Sequence, residues 1–366
     1  MTFTIFIVMN KSILIYSGTN GWLQLQTIVL NYSQSGVYIL VDENTKKLCL
    51  PLLREKCPYL VDAVVIEFKG SEANKTLAGA EKIWRSLIAA GAVRNSLLVC
   101  LGGGIISDLG GFAAATYKRG MDFIHIPTTL LAMVDASIGG KTGVNFDSIK
   151  NQIGVFALPK SVFIFTEFLT TLPERQRLSG YAEMLKHAVI DSYIHFEKLL
   201  LLNSPEKVCN EKNILESILV KTRIIESDFN ETGLRKVLNL GHTIGHAVET
   251  YSQKHDADPL LHGEAIAIGL ICESFISMRL LGFGQDDLKK MASLVSWHFP
   301  HYRLKPKAAD ELIAIMMHDK KNPDSSKINF TLLQKTGEPV YDQYPGEKLI
   351  RESLHFYVNL EVGFFV

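Results

Sequence analysis

The passage from residue 97 to 108 constrains the fold of this chain more than any other. Leu97-Leu98-Val99-Cys100-Leu101 runs without a polar residue into Gly102, Gly103 and Gly104, and Ile105-Ile106-Ser107-Asp108 then opens a helical pattern. An unbroken apolar run predicts a strand buried on both faces, as in a parallel sheet covered by helices. Consecutive glycines allow a tight turn and close approach of a ligand, and the free N–H groups of the following helix can seat a pyrophosphate. The spacing is not the G-x-G-x-x-G of the common dinucleotide fold. A plain glycine turn closing a buried strand therefore explains the triplet equally well.

The surroundings extend the pattern. Residues 37–41 read as a strand ended by Asp42, Glu43 and Asn44, and 61–68 as another ended by Lys69 and Gly70. Residues 72–90 repeat apolar positions at helical spacing up to Gly91, and 123–126 give a further strand closed by Pro127. Strands alternating with helices predict a Rossmann-like α/β domain over residues 1–165. Beyond it, helical periodicity dominates at 180–202, 213–226, 238–251, 263–281 and 308–318, with a small strand signal at 328–333. Residues 166–366 are thus expected to form a second, mostly α-helical domain, and clefts between two such domains commonly hold substrate.

Charge and cysteine content narrow the function. Lys plus Arg equals Asp plus Glu at 38 each, which argues against a general nucleic-acid binder while leaving room for a local anion pocket. Cys49, Cys57, Cys100, Cys209 and Cys272 are odd in number and include no C-x-x-C pair, so neither a disulfide framework nor a thiolate zinc knuckle is indicated. The apolar start at 3–9 is too short for a signal-peptide core or a membrane span, so a cytoplasmic protein without membrane partners is expected.

Chemistry is concentrated in three places. His242 and His246 stand i, i+4 in Leu-Asn-Leu-Gly-His-Thr-Ile-Gly-His and so share a helical face. His262 opens another apolar helix, and Glu183 lies on a third with Lys186 one turn later. Imidazoles and a carboxylate suit a catalytic divalent ion, and spacing alone nominates both His242 and His246 as ligands. A single histidine in an apolar helix is more often a hydrogen-bonded core residue, the reading that fits His187. Asp135, within Leu-Leu-Ala-Met-Val-Asp-Ala-Ser-Ile-Gly-Gly-Lys-Thr, needs a partner for its charge, and Lys141 is the nearest candidate in sequence. Lys150 taken alone reads as a solvated surface lysine.

Assembled, these blocks resemble the 3-dehydroquinate synthase family of sugar-phosphate cyclases. The resemblance covers Gly-Gly-Gly-Ile-Ile-Ser-Asp-Leu-Gly-Gly (102–111), Pro-Thr-Thr-Leu-Leu-Ala-Met-Val-Asp (127–135), Gly-Tyr-Ala-Glu-Met-Leu-Lys (180–186), Leu-Asn-Leu-Gly-His-Thr-Ile-Gly-His-Ala (238–247), His-Gly-Glu-Ala (262–265) and His-Asp-Lys-Lys (318–321). These stand in family order and, with their surroundings, span roughly residues 40–335. The resemblance implies NAD on the α/β domain, with Asp42, Asn44, Glu72 and Lys75 at the adenosine end. Gly103, Gly104 and Asp108 would lie at the pyrophosphate, and Thr128, Thr129 and Thr171 along the rest. It implies zinc, or another divalent metal such as cobalt, on Glu183, His242 and His262, which moves His246 to the substrate side. Asp135, Lys141, Lys150, Asn151, Lys186, Lys221, Arg235, Asn239, His246, and Lys320 or Lys321 would surround substrate, with Lys141 and Lys150 also near the cofactor. Arg119 would reach a neighbouring subunit's site, implying a homodimer. One departure is visible: where the family usually has Asp-Glu, this chain has Asp228-Phe229.

The implied activity belongs to the shikimate pathway. Transient oxidation by NAD, elimination of phosphate, re-reduction and aldol closure would turn 3-deoxy-D-arabino-heptulosonate 7-phosphate into 3-dehydroquinate, with no net redox change. A metal-dependent polyol dehydrogenase would explain the glycines and metal ligands but not Lys141, Lys186, Lys221 and Arg235. A sister cyclase acting on a sugar phosphate without a carboxylate leaves Lys221 and Arg235 unexplained. An interaction protein without catalysis has no use for the whole set.

Overall fold

The computed structural model describes residues 3–8, 11–147, 149–202, 204–305, 307–318, 322 and 327–360. Lys320, Lys321 and the apolar end at 362–366 lie outside the described residues. The chain forms two compact units, one of Met1–Pro173 with Cys209–Asn230, the other of Glu174–Val208 with Glu231–Val366. The division thus falls after Pro173 instead of near 165, and one helix of the helical half returns to the first unit. That helix, Glu211–Ser227, is fastened at its first turn, where Ser17 Oγ donates to Glu211 Oε1 at 2.6 Å.

The first unit is built on a seven-stranded sheet. Its strands are β1 (Phe3–Val8), β2 (Lys11–Ser17), β3 (Val37–Asp42), β4 (Val64–Phe68), β5 (Leu97–Gly102), β6 (Asp122–Pro127) and a later strand after a hairpin. The hairpin is β7 (Lys141–Phe146) with β8 (Ile149–Phe156), and the later strand is β9 (Ser161–Ile164). The sheet order is β1-β2-β9-β6-β5-β3-β4, with every pair parallel except β1–β2. From β3 the chain moves outward to β4, then returns to the other side of β3 for β5 and continues to β6. The topological switch point therefore lies between the carboxyl ends of β3 and β5, where open α/β sheets bind their ligands.

Glycine makes this packing possible. A Cβ on Gly110 would stand 2.6 Å from Cys100 Sγ, so the helix Gly104–Thr116 presses directly on β5. The core there joins Leu40, Leu98, Cys100, Ile106, Leu109 and Phe123. Phe229, the departure from the family pattern, packs at 5.3 Å between ring centroids against Phe156 of β8, so this position serves packing on the hairpin.

The second unit is helical around Glu174–Asp191, His242–His255 and His262–Leu281. A two-stranded ribbon of β10 (Phe330–Lys335) and β11 (Glu338–Gln343) and a C-terminal helix Glu347–Val358 complete it. The expected helix at 180–202 is broken at Ser192 into Glu174–Asp191 and Tyr193–Leu202. No helix among the described residues is long and apolar enough to cross a membrane.

His125 on β6 is 3% exposed, stands edge-on to Phe123, and its Nδ1 has no hydrogen-bond partner among the described residues. Burial pushes its pKa down to about 3. The unfolded chain protonates this histidine near pH 6.5 while the folded one does not, so its contribution is intact above pH 6.5 and is lost on acidification. Stability should fall by up to about 1.4 kcal/mol per pH unit below that point from this group alone. Urea midpoints measured from pH 7 to 4 should show a shallower acid decline for His125→Phe than for the parent chain.

Candidate active site

In the first unit Asp42 and the glycine turn stand at the switch point. Asp42 ends β3 and caps the helix Glu43–Leu48, its Oδ1 accepting from the N–H of Asn44 at 2.9 Å and of Thr45 at 2.8 Å. At the adjacent end of β5, Gly103 is the N-cap of Gly104–Thr116, and no side chain caps that helix. A Cβ on Gly103 would lie 3.1 Å from Thr129 Cγ2, and one on Gly104 3.3 Å from Ala136. Thr128 is buried and Thr129 half-buried beside this turn, while Thr171, at the end of the 3-10 turn Thr166–Thr171, is exposed. A bare helix start at the switch point, next to an acidic strand end, fits a dinucleotide.

Next to this turn lies a polar chain centred on one buried lysine. Lys75, 4% exposed, donates from Nζ to Asp108 at 2.5 Å and to Asn151 Oδ1 at 2.6 Å. Asn145 donates from Nδ2 to Glu72 Oε1 at 2.8 Å and accepts the Asn151 N–H at 2.9 Å. Burial raises the Asp108 carboxyl, and Lys75 offsets only part of that. Lys75 thus ties the helix behind the glycine turn to the β7–β8 hairpin. Asn151 is held with a φ of 51°, a backbone conformation that asparagine tolerates better than most.

Asp135 finds a partner other than the one expected. Lys221, from the helix Glu211–Ser227, donates to Asp135 Oδ1 and to its backbone oxygen, both at 2.6 Å. Lys141 begins β7 and is exposed, and Lys150 is half-buried in β8. Arg119 is exposed in a left-handed stretch with Lys118, at φ of 66° and 48°.

The second unit brings its candidates into one cluster. Glu183 is wholly buried on Glu174–Asp191, with Lys186 one turn on, 1% exposed and ion-paired to Glu183 Oε2. His242 Nε2 lies 3.5 Å and His262 Nε2 3.6 Å from Glu183 Oε1, which accepts no hydrogen bond among the described residues. Each imidazole is anchored through its other nitrogen, His242 Nδ1 at 3.0 Å from Leu240 O and His262 Nδ1 at 3.2 Å from Glu249 Oε2. His242, His246 and His262 each bring a ring nitrogen within 4.8 Å of the others, a group that could hold a metal ion, and Glu183 Oε1 stands beside two of them. His246 also belongs to the cluster, its ring 5.1 Å from that of His242 and 5.6 Å from that of His262. His187 is fully buried on the same helix as Glu183.

Electrostatics reinforce the cluster. Burial alone would raise the Glu183 carboxyl, but the Lys186 ammonium, His242 and His262 hold it well below the usual carboxylate range. Burial presses the His262 imidazole down, and Glu249 with Glu183 overcomes this and lifts it to about 10. A metal entering must displace that proton, so uptake weakens as pH falls.

Arg235 is 2% exposed, and Asn239, in the same 3-10 turn Leu234–Asn239, donates to Glu231 Oε1 at 3.0 Å. Several supporting acids were not apparent from the sequence: Glu231, Glu249, Glu264 and Glu273. Arg175 grips Glu264 through Nε–Oε1 at 2.7 Å and a second nitrogen at 2.9 Å, fixing the start of the helix that opens with His262. A lone acid within an apolar helical run was the available signal for Glu273.

Comparison with known proteins agrees with this organisation. Residues 65–179 match the family model described as 3-dehydroquinate synthase N-terminal, and 180–322 the one described as 3-dehydroquinate synthase C-terminal. A 3-dehydroquinate synthase of Parabacteroides distasonis is 43% identical over 336 residues, covering 91% of this chain and 94% of that protein. That of Pyrococcus abyssi is 39% identical over 328 residues, covering 89% and 95%. Among solved structures, a 2-deoxy-scyllo-inosose synthase complexed with carbaglucose-6-phosphate, NAD+ and Co2+ superposes with a TM-score of 0.80 at 25% identity, covering 96% of this chain and 98% of its own. The chain belongs to the 3-dehydroquinate synthase family.

The Lys75–Asp108 pair offers a direct test of the polar chain in the first unit. Lys75→Met removes the buried cation and leaves Asp108 against a low-dielectric wall, which should cost about 3 kcal/mol of unfolding free energy. Lys75→Met combined with Asp108→Asn should recover part of that loss in the same denaturant titration. Equal losses in the single and double variants would refute the coupling.

Proposed function

We propose that this member of the family converts 3-deoxy-D-arabino-heptulosonate 7-phosphate into 3-dehydroquinate and inorganic phosphate, acting as a carbon–oxygen lyase in aromatic amino acid biosynthesis. The observation that carries the reading is the Glu183 Oε1 atom facing His242 Nε2 and His262 Nε2 in a chain matched along both halves by the family. Glu183, His242 and His262 would hold a zinc or cobalt ion, which supplies Lewis acidity toward substrate hydroxyls. Asp42, Asn44, Glu72, Gly103, Gly104, Thr128, Thr129 and Thr171 would hold NAD, which supplies a reversible hydride acceptor.

The chain's own residues provide charge and position. The substrate carries a carboxylate and a phosphate, and both need cationic partners. Arg235 offers the planar fork that a carboxylate prefers, and its burial sharpens that preference. Lys221 is assigned to the same group, with Asp135 orienting its ammonium. Lys141, Lys150 and Asn151 are assigned to the phosphate side, with Lys320 or Lys321. Lys75 acts indirectly, by holding Asp108 and Asn151 in place.

Lys186 keeps Glu183 ionised in a dry environment, so the carboxylate is ready as a ligand without a proton to lose. His246 stands beside the two anchored imidazoles, placed to relay a proton to or from substrate. Asn239, oriented by Glu231, presents a neutral amide to substrate hydroxyls. Much of the acceleration would come from such positioning and from charges fixed before substrate arrives. The same reading makes the protein a cytoplasmic homodimer. The left-handed turn that displays Arg119 supports a role in the partner's site, since such backbone strain is retained where it serves function.

An end-point assay with NAD, zinc and the heptulosonate phosphate should release phosphate without accumulating NADH. Glu183→Ala should lower that release on the order of a hundredfold or more, by removing a metal ligand. NADH accumulating from a simple polyol, with no phosphate released, would replace the cyclase with a dehydrogenase.

A further inference from the structure

Glu273 lies about three turns beyond His262 on the helix His262–Leu281 and has no exposed surface. Its neighbours along that helix are apolar apart from Ser274 and Ser277, and a carboxylate there is costly unless its oxygens are satisfied. They are satisfied by main chain. Oε2 accepts the N–H of Gly241 at 2.6 Å, and Oε1 accepts those of Thr243 and Ile244, each at 3.0 Å. These N–H groups belong to the first turn of His242–His255, the ones a helix leaves without internal partners. The N-cap residue, Gly241, has a φ of +78° and no side chain with which to cap. Glu273 supplies the cap from the neighbouring helix.

The two helices are in backbone contact at this point. A Cβ on Gly269 would stand 1.9 Å from Gly241 O, and one on Gly245 3.1 Å from Ala265 O. His242 is the first residue of its helix, and the N–H groups on both sides of it, those of Gly241 and Thr243, end on the same carboxylate. One helix therefore carries His262 and also the acid that fixes the backbone of His242.

We infer that Glu273 is a positioning residue of the metal centre, setting His242 Nε2 in register with His262 and Glu183 through the main chain. This inference rests on the metal-binding role proposed for that cluster. Glutamine at 273 keeps one acceptor but loses the charge and turns an NH2 group toward backbone donors. Alanine removes the cap altogether.

The test uses metal-free parent protein, Glu273→Gln, Glu273→Ala and a control, Asn210→Ala, titrated with Co2+ against a competing chelator. Asn210 caps the helix Glu211–Ser227 by accepting the Asn213 N–H at 3.1 Å, so the control loses a helix cap far along the chain from the cluster. Circular dichroism establishes the fraction folded, and visible absorption reports the Co2+ environment. The expected result is a Co2+ affinity lowered about tenfold or more in Glu273→Gln, with an altered spectrum, while Asn210→Ala binds as the parent does. Glu273→Ala, where it folds, should lose more. Parental affinity and spectrum in folded Glu273→Gln, together with a lower melting temperature, would make Glu273 a structural cap only and overturn the inference. A parent protein that takes up no Co2+ would instead overturn the metal reading itself.

Discussion

A carboxylate with no exposed surface must be matched by positive charge or protonated, because desolvating an isolated anion costs more than a fold can spare. Glu183 is in that position, and the second unit is arranged around it. Lys186 stands one turn along its own helix, His242 opens a second helix, and His262 opens a third. Each imidazole is oriented from behind by Leu240 O or Glu249, so the Nε2 atoms that face Glu183 are set by hydrogen bonds away from the site. The helix carrying His262 is itself fixed at its start by Arg175 and Glu264. Binding potential has been placed in a dry interior, where a divalent ion can replace the protons and the ammonium that balance the carboxylate without it.

The first unit meets a different constraint. Its central strands are covered on both faces, so their ends are where polar groups can approach a ligand. The reversal of strand order between β3 and β5 leaves Asp42 and the glycine turn side by side. Lys75 then fastens that turn's helix to the β7–β8 hairpin, linking cofactor-side and substrate-side candidates through one buried ammonium.

The sequence made part of this legible. Strands such as β3 and β5 were readable because burial on both faces demands continuous apolar runs, and the glycine turn announced itself. The β7–β8 hairpin was not, since Gly143 pairs with Gly154 and its interspersed polar residues and glycines erase any alternation. Lys141 was favoured as the partner of Asp135 because it is near in sequence. Lys221 holds that place because a helix from far along the chain packs back onto the first unit, which local reading cannot foresee. The i, i+4 spacing found the face shared by His242 and His246, and the chemistry of the donors made Glu183 a candidate beside them. Spacing could not show which three of the four come together, because Glu183 and His262 arrive from other helices. Glu249, Glu264 and Glu273 drew no role because His262, Arg175 and the start of another helix, which they hold, lie away from them along the chain.

The central claim is that Glu183, His242 and His262 constitute the metal-binding set. X-ray absorption at the zinc edge of zinc-loaded protein tests it most directly. The account predicts two imidazole scatterers and oxygen at about 2.0–2.1 Å, with the imidazole count unchanged in His246→Ala. Three imidazoles in the parent, falling to two in that variant, would contradict it and make His246 the ligand in place of Glu183.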